Sequence, residues 1–269
     1  MLQMKTFLLP VDFSERSLEA AREAKALAKH FHSRLIMLNV MEADRRTGLQ
    51  FEPGGSSVEE LRAYFDREYR DEPIDYVVET GDPAETIMEQ AEACGADLIV
   101  MASHNRSAFE SFAFGSVTAE VLSMAKCPVW VSVHCQKGPA PLFQRILCGL
   151  ALADPHEKTL VWALEFADAF QARCDVIHVS PDGDGQPARE DTLLRAQREE
   201  VAHIRERLGK RGEVLLADGE LGQAVYRASK NIASDLLVIG RSSPGNAIGR
   251  VHSASYRLVH EAACPVVSV

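Results

Sequence analysis

An internal repeat constrains the fold more than any other feature of the sequence. Residues 81–102 align with residues 219–240 without a gap, and Ala-Asp-Leu-Ile-Val-Met from residue 96 matches Ser-Asp-Leu-Leu-Val-Ile from residue 234. Further along, Cys127-Pro128-Val129 matches Cys264-Pro265-Val266 after a deletion of one residue. Self-similarity of this kind indicates one structural unit that occurs twice. At 269 residues, the chain is long enough for two domains that each bury a core.

Each copy alternates apolar runs with amphipathic segments, which predicts a parallel sheet covered by helices on both faces. Helix caps are predicted at Ser14, at Asp82 and, in the second copy, at Asp154, with a further helix starting at Ser116. The strands are predicted over residues 6–11, 34–40, 74–79, 98–101 and 129–133, and then over 145–150, 175–179, 213–217, 236–239 and 266–269. The remaining helices are predicted over residues 58–70, 188–208, 221–232 and 253–262, with a loop over 42–57.

The predicted domain boundaries follow from the repeat. We predict domains over residues 1–134 and 143–269, joined by a linker over residues 135–142 that contains Gly138, Pro139 and Pro141.

Composition narrows the class of function. Hydrophobic residues make up 46% of the chain and charged residues 25%, as in ordinary globular proteins. A net charge of −10 argues against a general nucleic-acid or anionic-membrane surface. The six cysteines show neither CxxC pairing nor zinc-type spacing with histidines, which indicates a reducing compartment. Since the sequence shows no signal-peptide pattern and no long apolar run, we expect a cytoplasmic protein.

The candidate site is the loop that follows the predicted strand at residues 98–101. Backbone N–H groups in such a loop, and at the start of the next helix, can bind a phosphate. Val40 and Met41, at the end of the second strand, could line an adenine pocket or simply belong to the core. The candidate nucleotide-binding residues are Pro10, Val11, Asp12, Val40, Met41, Met101, Ala102, His104, Asn105, Arg106, Gly115, Ser116 and Val117.

Two interpretations stay open for several of these residues. Asp12 could contact the nucleotide, directly or through a metal ion, or could serve only the start of the first helix. His104 and Arg106 could bind phosphate or remain solvated on the surface. Ser116 could cap its helix and also donate to a phosphate.

These motifs resemble the universal stress protein family, here as a tandem pair that covers essentially the whole chain. The segments that carry the resemblance are Leu9-Pro10-Val11-Asp12-Phe13-Ser14, Gly-Asp-Pro at Gly81, Asp-Leu-Ile-Val at Asp97, Ser-His-x-Arg-Ser at Ser103, and Gly-Ser-Val followed by Cys-Pro-Val. The resemblance implies two flavodoxin-like domains, each with a five-stranded parallel sheet of order 3-2-1-4-5 and a nucleotide between strands one and four. It also implies pairing of the two fifth strands within the chain, with homodimer formation left open.

ATP-binding members of the family carry a loop of the form Gly, two residues, Gly, nine residues, Gly-Ser/Thr. The first copy keeps this spacing, but Ala102 and Asn105 replace the first two glycines. Asn tolerates the left-handed conformation, whereas Ala102 adds a methyl group where the backbone approaches a phosphate. The second copy has His252-Ser253 in place of Gly-Ser and Ala151 in place of Asp12, so we expect it to bind no nucleotide.

The sequence therefore favours a stress-response protein whose first domain binds ATP, ADP or AMP, with or without Mg²⁺, as a sensor or switch. The alternative is a nucleotide-free scaffold that acts through protein association, and a flavin or electron-transfer module is a third, weaker hypothesis. Neither a G-x-S-x-G elbow nor a Walker-type G-x-x-x-x-G-K-[ST] occurs in the chain, so hydrolase, motor and kinase functions are disfavoured. Any ATP hydrolysis should be slow.

Overall fold

The computed structural model describes residues 2–42, 59, 62–63, 74–102, 116–132, 143–151, 157–180, 187–241 and 254–269. The chain divides into two compact units, Gln3–Pro141 and Leu142–Val269. The predicted linker over 135–142, the cap at Asp154 and most of the predicted helix over 58–70 lie outside the described residues.

The first unit contains a parallel sheet. Its strand order is β3-β2-β1-β4-β5, so β1 pairs with β2 on one side and with β4 on the other. The elements are β1 (Thr6–Val11), α1 (Glu15–Phe31), β2 (Arg34–Glu42), β3 (Ile74–Gly81), α2 (Pro83–Ala93), β4 (Leu98–Ala102), α3 (Ser116–Met124) and β5 (Val129–Ser132).

The second unit repeats this arrangement. Its order is β8-β7-β6-β9-β10, and these neighbouring strands again run parallel. The elements are β6 (Arg145–Gly149), α4 (Glu157–Phe170), β7 (Arg173–Ser180), α5 (Pro187–Leu208), β8 (Val214–Asp218), α6 (Leu221–Ile232), β9 (Leu236–Ile239), α7 (Ala254–Glu261) and β10 (Val266–Ser268). The predicted α/β class is confirmed.

Helix α1 shows how the sequence builds these layers. The Ser14 side chain accepts from Ser17 N and caps the helix, as predicted, and the helix ends at His32 in the left-handed conformation. Its buried face consists mainly of alanines, which let the helix approach β1 and β4 closely. Every residue of β4 is buried, so the middle of the sheet is covered on both faces.

Strands β2 and β3 are longer than the sequence predicts. The prediction ends them at residues 40 and 79, whereas their ladder continues to the pair Glu42–Gly81. Apart from Met41, the extra residues are polar or small, and parallel hydrogen bonding rather than apolar character keeps them in the sheet. Val40 and Met41 therefore lie within β2, where they pair with Glu79 and Thr80 of β3.

One carboxylate in each unit joins the first and fourth strands at their amino ends. Asp97 Oδ2 accepts from Lys5 N at 2.7 Å and from Thr6 N at 3.0 Å. In the second unit Asp235 Oδ2 accepts from Gln144 N at 2.7 Å and from Arg145 N at 3.2 Å. This matched bond explains why an aspartate precedes the apolar strand in both copies.

Candidate functional site

The carboxyl ends of β1 and β4 form the point at which the strand order reverses. Because the two strands are parallel neighbours, the residues that follow them lie side by side. Val11, Met101 and Ala102 are buried there, Pro10 is half-buried, and Asp12 is exposed. The structure therefore places these five candidate residues at one edge of the sheet.

Asp12 is held in place by the start of α1. Its Oδ1 accepts from the backbone N–H of Ser14 at 3.1 Å and from the Ser14 hydroxyl at 2.6 Å, and it also accepts from the Ser17 hydroxyl. Asp12 N in turn donates to Ser17 Oγ at 3.1 Å. One oxygen of the carboxylate thus supports the helix start, which is the structural role that the sequence left open beside a nucleotide contact.

Helix α3 begins at the same edge. Thr118 is buried in its first turn, and its Oγ1 donates to the carbonyl oxygen of Ala102 across 3.5 Å. Ser116 is exposed and Val117 is half-buried. Backbone N–H groups of a first helical turn lack partners within the helix, so this end can bind an anion. His104, Asn105, Arg106 and Gly115 lie outside the described residues.

Asn39 is a residue of this edge that the sequence reasoning missed. It lies in β2 opposite Val11, is only 6% exposed, and donates from Nδ2 to the Val11 carbonyl at 2.9 Å. Its Oδ1 is buried and has no hydrogen-bond partner within the part of the chain that the structure describes. The neighbouring Val40 and Met41 are half-buried. A lone amide inside an apolar strand was the signal that could have identified it.

The second unit has a histidine at the position that corresponds to Asn39. His178 lies in β7, is 8% exposed, and its Nδ1 is 3.0 Å from the carbonyl oxygen of Leu150, just after β6. A carbonyl only accepts, so Nδ1 carries the proton in the neutral ring and Nε2 does not. His178 Nε2 is buried and, among the described residues, has no partner. Ala151 follows Leu150, so this edge has no counterpart of the Asp12 carboxylate.

The buried cysteines of the second unit pack rather than react. Burial raises the pKa of Cys148, and it raises the pKa of Cys174 to about 12. Burial also raises the pKa of Cys264, whose sulfur lies 3.8 Å and 3.7 Å from the hydroxyls of Ser229 and Ser234. These thiols stay protonated near neutral pH, and thiolate chemistry is therefore disfavoured.

A cavity of about 280 Å³ lies at the opposite edge of the first sheet. It sits between the end of α1 and the amino ends of β2 and β3, so it is not part of the candidate site. Its lining residues are Lys25, Ala28, Lys29, His32, Ser33, Leu35 and Ile74.

Among the described residues, no cluster of three or more histidines, cysteines or carboxylates is placed to hold a metal ion. In the same residues, no helix combines the length and the apolar character needed to cross a membrane.

Comparison with known proteins bears on both halves of the chain. The model of the universal stress protein family matches residues 4–133 and again residues 142–269. The chain belongs to this family as a tandem of two copies. A universal stress protein from Methanocaldococcus jannaschii is 32% identical over 141 residues, which cover 47% of this chain and 81% of the relative.

A solved structure of a universal stress protein from Archaeoglobus fulgidus agrees with this fold. It covers 99% of this chain and 96% of its own, with a TM-score of 0.72 and 21% identity. A universal stress protein solved in complex with cAMP covers 48% of this chain and 98% of its own, with 17% identity and a TM-score of 0.39.

Proposed function

We propose that the first unit binds an adenine nucleotide between the carboxyl ends of β1 and β4 and acts as a stress-responsive sensor or switch in the cytoplasm. The observation that carries the proposal is the meeting of three features at one edge: the ends of two neighbouring parallel strands and the exposed start of α3. Open α/β sheets bind ligands at such a reversal of strand order, with phosphates at helix N-termini.

Each part of the nucleotide has a proposed set of partners. The phosphates lie against Ser116, the first turn of α3 and the preceding loop, in which Arg106 supplies a positive charge and His104 donates a hydrogen bond. The base lies against Val40 and Met41, whose side chains are half-buried. Asp12 faces the ribose and phosphates, and a Mg²⁺ ion bound with ATP would reach its carboxylate.

The second unit is proposed to bind no adenine nucleotide. Ala151 offers no carboxylate where the first unit has Asp12, and His252 replaces the glycine that precedes the last helix of the motif. The protein would therefore respond to nucleotide through one of its two units.

Calorimetric titration of the full chain with ATP, ADP, AMP and cAMP tests this proposal. The expected result is one site per chain and a stabilisation of about 2.7 kcal/mol at a hundred times the dissociation constant. Hydrogen exchange should show the added protection in the first unit. Absence of heat and of thermal stabilisation at millimolar ligand would overturn the proposal.

The second candidate function is a nucleotide-free scaffold, favoured by the loss of two loop glycines. The double variant Ala102→Gly with Asn105→Gly restores the loop pattern of ATP-binding members. Strong ATP binding by this variant and none by the wild type would support the scaffold, whereas comparable binding by both supports the sensor. Gly240→Ala, the reverse change at the matching position of the second unit, is the control and should leave nucleotide binding unchanged.

From the family resemblance we also propose, independently of nucleotide binding, pairing of the two fifth strands within the chain and association of two chains. Analytical ultracentrifugation across a concentration series measures that association. A single species with the mass of one chain at all concentrations would exclude the homodimer.

A further inference from the structure

The side-chain amide of Asn39 has two polar atoms, and only one of them is hydrogen-bonded to the described residues. Its Nδ2 donates to the Val11 carbonyl, which fixes the orientation of the amide and leaves Oδ1 as the remaining polar atom. That oxygen is buried, and no described residue donates to it. A buried acceptor without a partner is destabilising, so in the native fold a water molecule, a ligand or a residue outside the described ranges is expected to donate to it.

The same position is polar and incompletely satisfied in the second unit. His178 reaches the Leu150 carbonyl with Nδ1 and leaves Nε2 buried without a described partner. The two copies differ over most of their residues, yet at this point of the sheet both keep a side-chain bond to a carbonyl at the end of the first strand, here called the anchor. Both also keep one buried acceptor atom without a described partner, here called the spare acceptor. The anchor is shared, whereas the chemistry of the spare atom differs between an amide oxygen and a ring nitrogen.

We infer that Asn39 is a specificity-determining residue of the nucleotide site, and that its Oδ1 accepts a hydrogen bond from the exocyclic amino group of adenine. The inference rests on the proposed function of the same site. An amide oxygen only accepts, so it selects a ligand group that donates. Side chains alternate along a strand, so Asn39 lies on the same face of β2 as Met41, one of the two residues proposed to lie against the base. The acceptor is therefore expected beside the base rather than beside the phosphates.

The test compares ATP with the triphosphate of purine riboside, which carries a hydrogen atom where adenine carries the amino group. Wild-type protein should bind ATP about tenfold more tightly than this analogue, the effect of one buried hydrogen bond. Asn39→Leu should weaken ATP binding about tenfold and leave the affinity for the analogue unchanged, so that the preference disappears. His178→Leu, the matched change in the second unit, should leave both affinities unchanged.

A second variant keeps the anchor. Asn39→His can bond to the Val11 carbonyl as His178 bonds to Leu150, but it moves the spare acceptor outward, and it should also reduce the preference for ATP. Titration with 2′-deoxy-ATP separates the base from the sugar, because loss of the 2′-hydroxyl should leave the effect of Asn39→Leu in place.

Three outcomes would overturn the inference. Equal binding of ATP and the analogue by the wild type would remove the preference to be explained. An equal loss of both ligands in Asn39→Leu would show that the amide only anchors β1, and an effect that vanishes with 2′-deoxy-ATP would assign the acceptor to the ribose. If the wild type bound neither ATP nor the analogue, the proposed function would fail together with this inference. Each of the three outcomes above would overturn the inference alone and leave the proposed function standing.

Discussion

The first unit buries a carboxylate where the second unit stacks aromatic rings. Glu23 of α1 is buried and accepts from the Trp130 indole N–H at 2.9 Å and from the Ser132 hydroxyl at 2.6 Å. The matching position of α4 holds Trp162, whose ring stacks on Phe166 with centroids 5.0 Å apart. The same helix–sheet contact thus tolerates a hydrogen-bonded polar core or an apolar one, provided that the space is filled and the polar atoms are satisfied.

The carboxyl edges of the two units differ in a second way, at the residue that follows the first strand of each. Asp12, with its bonds to Ser14 and Ser17, gives way to Ala151, whereas the amino edges keep the matched aspartates at 97 and 235. The framework at one end of the sheet was retained while the other end diverged. The two copies therefore differ most clearly at the edge where the parallel strands end, which is the edge of the proposed nucleotide site.

The largest expected effect concerns the aromatic stack. Trp162→Ala should lower the free energy of unfolding of the second unit by about 4 kcal/mol, because it leaves a large cavity beside Phe166. Hydrogen exchange read by mass spectrometry reports the units separately, and protection should fall in β6, β7 and β9. Comparable losses throughout the first unit would show that the two cores are coupled rather than independent.

Glu23→Ala should destabilise the first unit by about 3 kcal/mol. The substitution leaves the Trp130 N–H and the Ser132 hydroxyl buried without their acceptor. Glu23→Gln keeps an acceptor oxygen and should cost less. If the alanine and glutamine variants lost protection equally, the carboxylate charge rather than its acceptor role would hold this cluster together.

The matched aspartates should respond alike. Asp97→Ala and Asp235→Ala each remove an acceptor for two backbone N–H groups, at a cost of about 2 kcal/mol in their own unit. Thermal unfolding of the two single variants should give similar losses. A cost confined to one of them would break the equivalence of the two frameworks.

The smallest effect is expected at the caps of α2 and α6. Asp82 accepts from Ala84 N and Glu85 N, and Glu220 accepts from Gly222 N and Gln223 N. Replacing either cap by Ala should cost about 1 kcal/mol. Chemical denaturation should show equal losses in the free energy of unfolding for both variants, because Glu220, although longer than Asp82, accepts from the backbone N–H groups at the equivalent two positions of its helix. A cost at Asp82 alone would mean that the glutamate cap is solvated in solution.

Acid should weaken the cap of α6. Backbone hydrogen bonds from Gln223 and Gly222 lower the pKa of Glu220 in the folded state. A lowered folded pKa means that this cap contributes fully above the ordinary glutamate pKa of about 4.3 and loses its contribution as pH falls through the folded pKa. Glu220→Gln should therefore flatten the pH dependence of stability in that acidic window, and an unchanged slope would contradict the assignment.

Much of the fold could be predicted because the repeat and the apolar periodicity are local signals. The caps at Ser14 and Asp82 and the helix Leu221–Ile232 lie where the sequence predicts them. A polar residue in an apolar strand could have been noticed at Asn39, but the hydrogen bonds of Asn39 and His178 could not be predicted, because each spans 28 residues and depends on strand register. The candidate residues of the loop between β4 and α3 remain predictions.

The bond between Thr118 and the Ala102 carbonyl fixes both ends of the segment that joins β4 to α3. Because the ends are fixed by the scaffold, the length of that segment can change at a small entropic cost, of order 0.6 kcal/mol per doubling. The second copy has lost one residue between the matched positions 240 and 264. A change in the number of residues between these two ends should therefore cost the sheet and the helix little stability.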